Sequence, residues 1–406
     1  MPTERLTIPT TRGYELSGAL ELPSGLVRGA AVFAHCFTCT KQSLAAVEVT
    51  RALAQHGIAT LRFDFTGLGQ SGGNFGRAGF ASDLEDLIES TRYLADRFGK
   101  GLLLVGHSLG GAAVLAAADM LEEDTVAAIA TIGAPAEVEH VLGTMKGDFA
   151  AIERDGEGEV DIGGHHYNLS RDFLEAVREV DLLAKVKALR IPLMFCHSPT
   201  DEIVDVDNAA QLFTAAKHPK SFISLAGADH LLTRSEDAGF AAGVIASWAH
   251  RYIPMREDWP MPEQGVVVKT GHGKFGTEVH THSHRFLADE PTSYGGDDSG
   301  PTPYDLLNAA LGTCSAMTMK MYADRKGWPL EGVTVTVTHE RDHKDECNHV
   351  AAMEEGRQMQ ALHRRIELQG DALDEDQRAR IIEIADKCPV HRTLEGVLHV
   401  HTKSVD

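Results

Sequence analysis

The chain has 406 residues, long enough for two or three domains with cores of their own. Hydrophobic residues make up 43%, charged residues 24% and aromatic residues 6%, a balance that excludes disordered, collagen-like and disulfide-scaffold classes. With 59 acidic against 38 basic residues the formal charge is −21 at pH 7, so the chain repels phosphate backbones and no nucleic-acid partner is expected.

The opening stretch, MPTERLTIPTTRGYEL, carries charges where a signal peptide needs an apolar core. No run of about 18 apolar residues follows anywhere, so a cytoplasmic protein without a membrane span is expected. In that compartment most of the cysteines (Cys36, Cys39, Cys196, Cys314, Cys347 and Cys388) stay as thiols.

Up to about residue 250, short apolar runs alternate with amphipathic stretches, which predicts an α/β domain with a mostly parallel sheet. Strands are expected at 29–35, 58–64, 101–106, 126–132, 191–196 and 221–225. Helices are expected at 41–56, 80–98, 109–121, 170–188, 205–217 and 236–251. Between Pro135 and Leu169 the alternation gives way to polar, Gly-rich sequence, read as a small insertion, with a cap over about 135–185 that covers a pocket. Pro254, Pro260 and Pro262 mark a linker over 254–263 between a first domain (1–253) and a second (264–406). The second domain reads as α+β. Its strands are expected at 264–270 and 275–288, then a helix from Thr302 to Lys326, strands at 332–339 and 364–369, a helix at 373–387 and a strand at 396–401.

Gly106-His107-Ser108-Leu109-Gly110 falls between an apolar strand and a helix, the context of a nucleophile elbow. A serine hydroxyl needs a base and the base needs an orienting acid, expected in the order acid then histidine. Asp201 follows the strand ending at Cys196, and His230 follows the strand ending at Leu225, both at carboxyl ends where an open α/β sheet binds ligands. Asp205 is the rival acid. The oxyanion hole requires two N–H donors, assigned to Leu109, next after the nucleophile, and to Phe37 in the loop His35-Cys36-Phe37-Thr38.

These three segments, with Arg62-Phe63-Asp64-Phe65-Thr66-Gly67-Leu68-Gly69-Gln70-Ser71-Gly72, resemble an α/β-hydrolase of the esterase and serine-aminopeptidase-like branch over about residues 5–252. Members of that family usually carry glycine where Cys36 stands. Cys36 and Cys39 also form a C-x-x-C, but they follow a strand rather than opening a helix, which favours a structural or packing role over redox chemistry.

Gly67-Leu68-Gly69-Gln70-Ser71-Gly72 also matches G-x-G-x-x-G, the signature of a dehydrogenase. Its acidic partner should end a strand about 20 residues later, whereas residues 87–94 fall in an amphipathic helix, so nucleotide binding is rejected. Gly271-His272-Gly273-Lys274-Phe275-Gly276 leads into a strand and is rejected too.

Cys314 lies on the apolar face of the long helix with Leu307, Leu311, Met317 and Met321, where a cysteine ordinarily packs. Cys388 is read at the last turn of a helix before Pro389. Together with the two leading strands and the segment Gly300-Pro301-Thr302-Pro303-Tyr304-Asp305-Leu306-Leu307, these resemble the OsmC and organic-hydroperoxide-resistance family over about 264–404. The resemblance implies an intertwined homodimer, with Cys314 peroxidatic and Cys388 resolving, activated by an arginine and a glutamate. The usual glutamate position holds Tyr304, with Asp305 beside it, and Arg285 is the only arginine in the leading strands. His280, His282 and His284 alternate on one strand face, and His339, His343, Cys347 and His349 cluster, but neither set has the full donor pattern of a zinc site, so no metal is assigned.

The sequence thus predicts a cofactor-independent serine hydrolase acting on a small acyl ester through Ser108, His230 and Asp201. A thiol peroxidase using Cys314 and Cys388, with the hydrolase half recognising an acyl substrate, is the alternative. A second domain serving assembly alone is the third reading.

Overall fold

The computed structural model describes residues 1–37, 39–162, 165–256, 262–342 and 359–404. By its contacts the chain divides into two units, Met1–Ser299 and Gly300–Asp406.

In the first unit the sheet begins with β1 (Thr3–Pro9), β2 (Glu15–Glu21), β3 (Gly29–Ala34), β4 (Ile58–Phe63), β5 (Leu102–His107) and β6 (Val126–Ile132). After the cap strands β7 (Lys146–Gly147), β8 (Glu157–Ile162) and β9 (His165–Ser170) it resumes with β10 (Leu193–His197) and β11 (Lys220–Ser224). The spatial order is β1-β2-β4-β3-β5-β6-β10-β11, parallel from β4 to β11 and antiparallel at the β1 and β2 edge. Every residue of β3, β4, β5 and β10 is buried, which is why these strands read as continuous apolar runs rather than as alternation. The sequence reading misses β1 and β2. At the sheet edge β1 alternates exposed and half-covered residues, and its charges mimic a surface segment.

Helices α1 (Leu44–Gln55), α2 (Phe75–Phe98, bent at Gly79) and α3 (Leu109–Ala117) follow β3, β4 and β5. The insertion forms a three-stranded antiparallel sheet of β7, β8 and β9 with α4 (Phe149–Asp155). The single helix expected at 170–188 is instead two, α5 (Arg171–Arg178) and α6 (Leu182–Ala188), because Ser170 caps the first and Asp181 caps the second by accepting from Ala184 N–H. Helices α7 (Asp207–Ala215) and α8 (Ser235–Ala249) complete the set. One core packs α1 and α8 residues such as Val49, Leu53 and Ile245 with Phe33 and Val105; a second joins α2, α3 and the cap.

The expected strand at 275–288 is a hairpin. β12 (Val267–Thr270), β13 (Thr277–His280) and β14 (Arg285–Ala288) form an antiparallel sheet, turned at residues 281–284 by the Thr281 N–H donating to His284 O at 2.9 Å. His282 and His284 therefore sit in an exposed turn while His280 is buried, so the three histidines do not share a strand face. This sheet belongs to the first unit by contacts. The Leu26 N–H donates to Glu278 Oε1 at 3.4 Å, and a Cβ at Gly276 would stand 2.2 Å from Ser24 O. Gly271–Gly276 is thus a close backbone crossing. The contact boundary lies beyond Ser299, past the 254–263 linker, of which 257–261 are outside the described residues.

The second unit has α9 (Pro303–Lys326), the antiparallel pair β15 (Gly332–Asp342) and β16 (Met359–Gln369), α10 (Glu375–Ala385) and α11 (Pro389–Glu395). Met319, Ala323, Leu330 and Ile381 form its small core. The strand expected at 396–401 is in no ladder among the described residues, with Val397 and Val400 90% and 83% exposed; a strand exists only where a neighbour completes its hydrogen bonds. His343, Cys347 and His349 lie outside the described residues. Among the described residues no helix is long and apolar enough to cross a membrane.

Candidate active site

Ser108 joins β5 to α3 with φ 55° and ψ −123°, a left-handed backbone that a non-glycine residue holds only where its surroundings enforce it. Close packing does so here. A Cβ at Gly106 would stand 2.2 Å from Gly110 O, and one at Gly110 2.3 Å from Ala34 O. The glycines of the pentapeptide are therefore a steric requirement of the turn that lifts Ser108 above the sheet.

His230 Nε2 lies 3.0 Å from Ser108 Oγ, and His230 Nδ1 lies 2.7 Å from Asp201 Oδ2. A carboxylate only accepts, so Nδ1 carries the proton and Nε2 is left to accept from the serine hydroxyl. The other carboxylate oxygen, Oδ1, accepts from the Ile203 and Val204 N–H groups at 2.9 Å each. Burial pushes the Asp201 pKa upward, but the bonds from His230, Val204 and Ile203 outweigh it and hold the carboxyl below its ordinary value. Asp201 is thus an anion fixed in one orientation. The rival Asp205 is exposed and accepts from the Asp207 N–H at the start of α7, away from the histidine.

Leu109 opens α3, where first-turn N–H groups have no helical partner. Phe37 is half-buried in the loop after β3. Cys36 and Cys39, expected to have a structural or packing role, form a disulfide. The turn in which the Cys39 N–H donates to Cys36 O brings their Cα atoms to 5.4 Å, inside the range a disulfide needs. The bridge spans Phe37. Below this loop, Asp64 accepts from the Lys41 N–H at 2.6 Å and the Gln70 N–H at 2.9 Å and pairs with the Lys41 ammonium. Gly67–Gly72 wraps that carboxylate so closely that a Cβ at Gly69 would meet it at 2.3 Å. These glycines serve a buried ion pair.

In the second unit, Cys314 is half-buried on α9 and Cys388 is fully buried. Cys388 is not in a last helical turn: α10 ends at Ala385, and Cys388 caps α11, its Sγ accepting from the His391 N–H at 3.3 Å. Pro389 ends one helix and begins the next. Ser315 Oγ is 3.7 Å from Cys388 Sγ and accepts from Arg364 Nη1 at 2.7 Å. Arg364, on β16, thus reaches the Ser315 hydroxyl beside Cys388, and sequence reasoning missed it because only the β15–β16 pairing brings it there. Arg285 lies in β14 opposite His280. Asp305 is spent on a capping box, accepting from the Thr302 N–H at 3.0 Å and Oγ1 at 2.8 Å. Tyr304 stacks on His339.

Residues 31–290 match the alpha/beta hydrolase family and residues 296–403 match OsmC-like protein. The chain is 25% identical over 187 residues to the uncharacterized protein YfhR of Escherichia coli O157:H7, covering 46% of this chain and 58% of that one. YfhR of Salmonella typhi is 27% identical over 186 residues, with 44% and 57% covered, so the chain spans somewhat over half the length of the curated relatives it matches. Among solved structures, the esterase domain of a Rhodothermus marinus protein is 44% identical, with TM-score 0.51, covering 62% of this chain and 99% of that one. Est1E from Butyrivibrio proteoclasticus, with ferulic acid bound, is 21% identical with TM-score 0.52, covering 61% and 96%, and shares the fold.

Proposed function

The chain belongs to the alpha/beta hydrolase family, joined to an OsmC-like domain, and from that premise we propose that it is a serine hydrolase cleaving small carboxylic esters through an acyl-enzyme. The observation that carries this reading is the 3.0 Å approach of His230 Nε2 to Ser108 Oγ with Asp201 behind it. The 44% identity to an esterase domain supports ester substrates in particular.

Ser108 Oγ attacks the ester carbonyl as its proton passes to His230 Nε2, and the negative carbonyl oxygen is received by the N–H groups of Leu109 and Phe37. The imidazolium, paired with Asp201, returns the proton to the departing alkoxide. Water, deprotonated by His230, then attacks the acyl-serine and releases the acid and free Ser108. The donors and bases are side chains and backbone of this chain, so the scheme runs without a cofactor. Replacing Ser108 with alanine is expected to lower kcat/KM for a short acyl ester by about 10³-fold or more; unchanged turnover would refute the proposal.

A second reading concerns the thiols. Cys388 at the start of α11, with Ser315 and Arg364 beside it, favours a peroxide-reactive pair with Cys314. Mass spectrometry after organic hydroperoxide treatment is expected to find a Cys314–Cys388 bridge; its absence would leave the domain an assembly module. The exposed Val397, Leu398 and Val400 support a homodimer formed through the second domain. We place the protein in the cytoplasm.

A further inference from the structure

A small cavity of about 10 Å³ adjoins the loop after β3 and the start of α3, with His35, Phe37, Phe65, Phe80, Asp83 and Leu109 in its wall. On this measure it holds one water-sized group. Two of its wall residues are polar, and neither is used by the mechanism above.

His35 Nδ1 lies 2.8 Å from Cys36 O. A carbonyl only accepts, so Nδ1 is the protonated nitrogen and Nε2 carries a lone pair. That Nε2 is buried and has no hydrogen-bond partner among the described residues. Burial lowers the pKa of the ring and keeps it neutral. Asp83 is 8% exposed and lines the same cavity, with Asp86 and Arg12 as its charged neighbours. The neighbouring cation, Arg12, is engaged by Asp86. Burial, then the nearby Asp86 charge, raise the Asp83 pKa well above its ordinary value, with Arg12 opposing, which favours the protonated carboxyl and its O–H donor. The wall thus presents one donor and one acceptor amid phenylalanine rings, the complement of a single hydroxyl group, which both accepts and donates.

We propose that this cavity is a specificity subsite for a hydroxyl group carried on an apolar arm of the ester, with Asp83 donating to the hydroxyl oxygen and the hydroxyl donating to His35 Nε2. An unsubstituted arm would leave the buried His35 Nε2 unpaired, which is the strongest basis on which a pocket rejects an analogue. The inference rests on the ester-hydrolase reading.

The test compares kcat/KM within pairs of methyl esters, each hydroxylated acid against its deoxy counterpart: ω-hydroxy acids of four to eight carbons and 3-(4-hydroxyphenyl)propanoate against 3-phenylpropanoate. At least one pair is expected to favour the hydroxylated ester by about 10-fold or more. Asp83→Leu should abolish that preference, and Asp83→Asn, which keeps an N–H donor, should retain part of it. The ratio within a pair is unmoved by a general loss of folded enzyme, so it reports recognition alone. No preference in any pair, or a preference that survives Asp83→Leu, would overturn the proposal. Equal turnover of both esters by wild type and Ser108→Ala would instead sink the hydrolase reading.

Discussion

His107 lies directly against the catalytic histidine candidate: its Nε2 donates to the His230 carbonyl at 2.7 Å, and the two rings are 5.4 Å apart. It ties the loop that carries His230 to the strand that leads into Ser108. Burial, and then the proximity of His230, push the His107 pKa down to about 4.

This depression sets a pH dependence of stability. The unfolded chain protonates His107 below about 6.5, while the fold keeps it neutral until about 4, so its contribution is full above pH 6.5 and is lost as pH falls through that window. Loss of about 3 kcal/mol between pH 6.5 and 4 follows from that shift. His107→Asn, which retains a donor for the His230 carbonyl, is expected to show a correspondingly flatter profile in urea denaturation; identical slopes for both proteins would count against it.

The two acids should separate cleanly. Asp201→Asn removes the anion that fixes the His230 tautomer and is expected to lower kcat by about 10⁴-fold. Asp205→Asn touches only the first turn of α7 and should stay within about twofold. Steady-state kinetics of the two variants on one ester decide between them.

The Cys36–Cys39 bridge restrains the loop of Phe37, the proposed second oxyanion donor. A Cys36→Ser, Cys39→Ser double variant should lose about 10-fold in kcat with little change in KM, since an oxyanion contact is made in the transition state. A parallel rise in KM with kcat unaltered would assign the bridge to substrate binding instead.

Glycine substitutions test the elbow. Gly110→Ala drives a Cβ to 2.3 Å from the Ala34 carbonyl, with backbone on both sides, and should cost several kcal/mol, of order 3 or more. Gly239→Ala, in the interior of α8 with no heavy atom within 4 Å of the new Cβ, should stabilise by about 0.5–1 kcal/mol. Thermal unfolding of the two variants provides the comparison.

Much of this was legible in sequence because local chemistry dictates it. The apolar runs gave β3 to β6 within a residue or two, and the elbow and its order of acid and base lead to residues that do meet at His230. What was illegible depends on distant pairing. Arg364 reaches Ser315 only once β15 and β16 pair. Asp83 reads as one more acid on an amphipathic helix until α2 is folded over the loop after β3. Pro389 conceals the break between α10 and α11, because a proline that stops one helix also starts another. The turn at 281–284 has no glycine or proline to announce it.

Covalent capture of Ser108 tests the proposed mechanism most directly. Treatment of the full-length protein with a fluorophosphonate probe, followed by peptide mapping, is expected to yield one adduct on Ser108, lost in Ser108→Ala and much slowed in a His230→Ala variant. Labelling at another serine, or no labelling of a folded and monodisperse preparation, would contradict it.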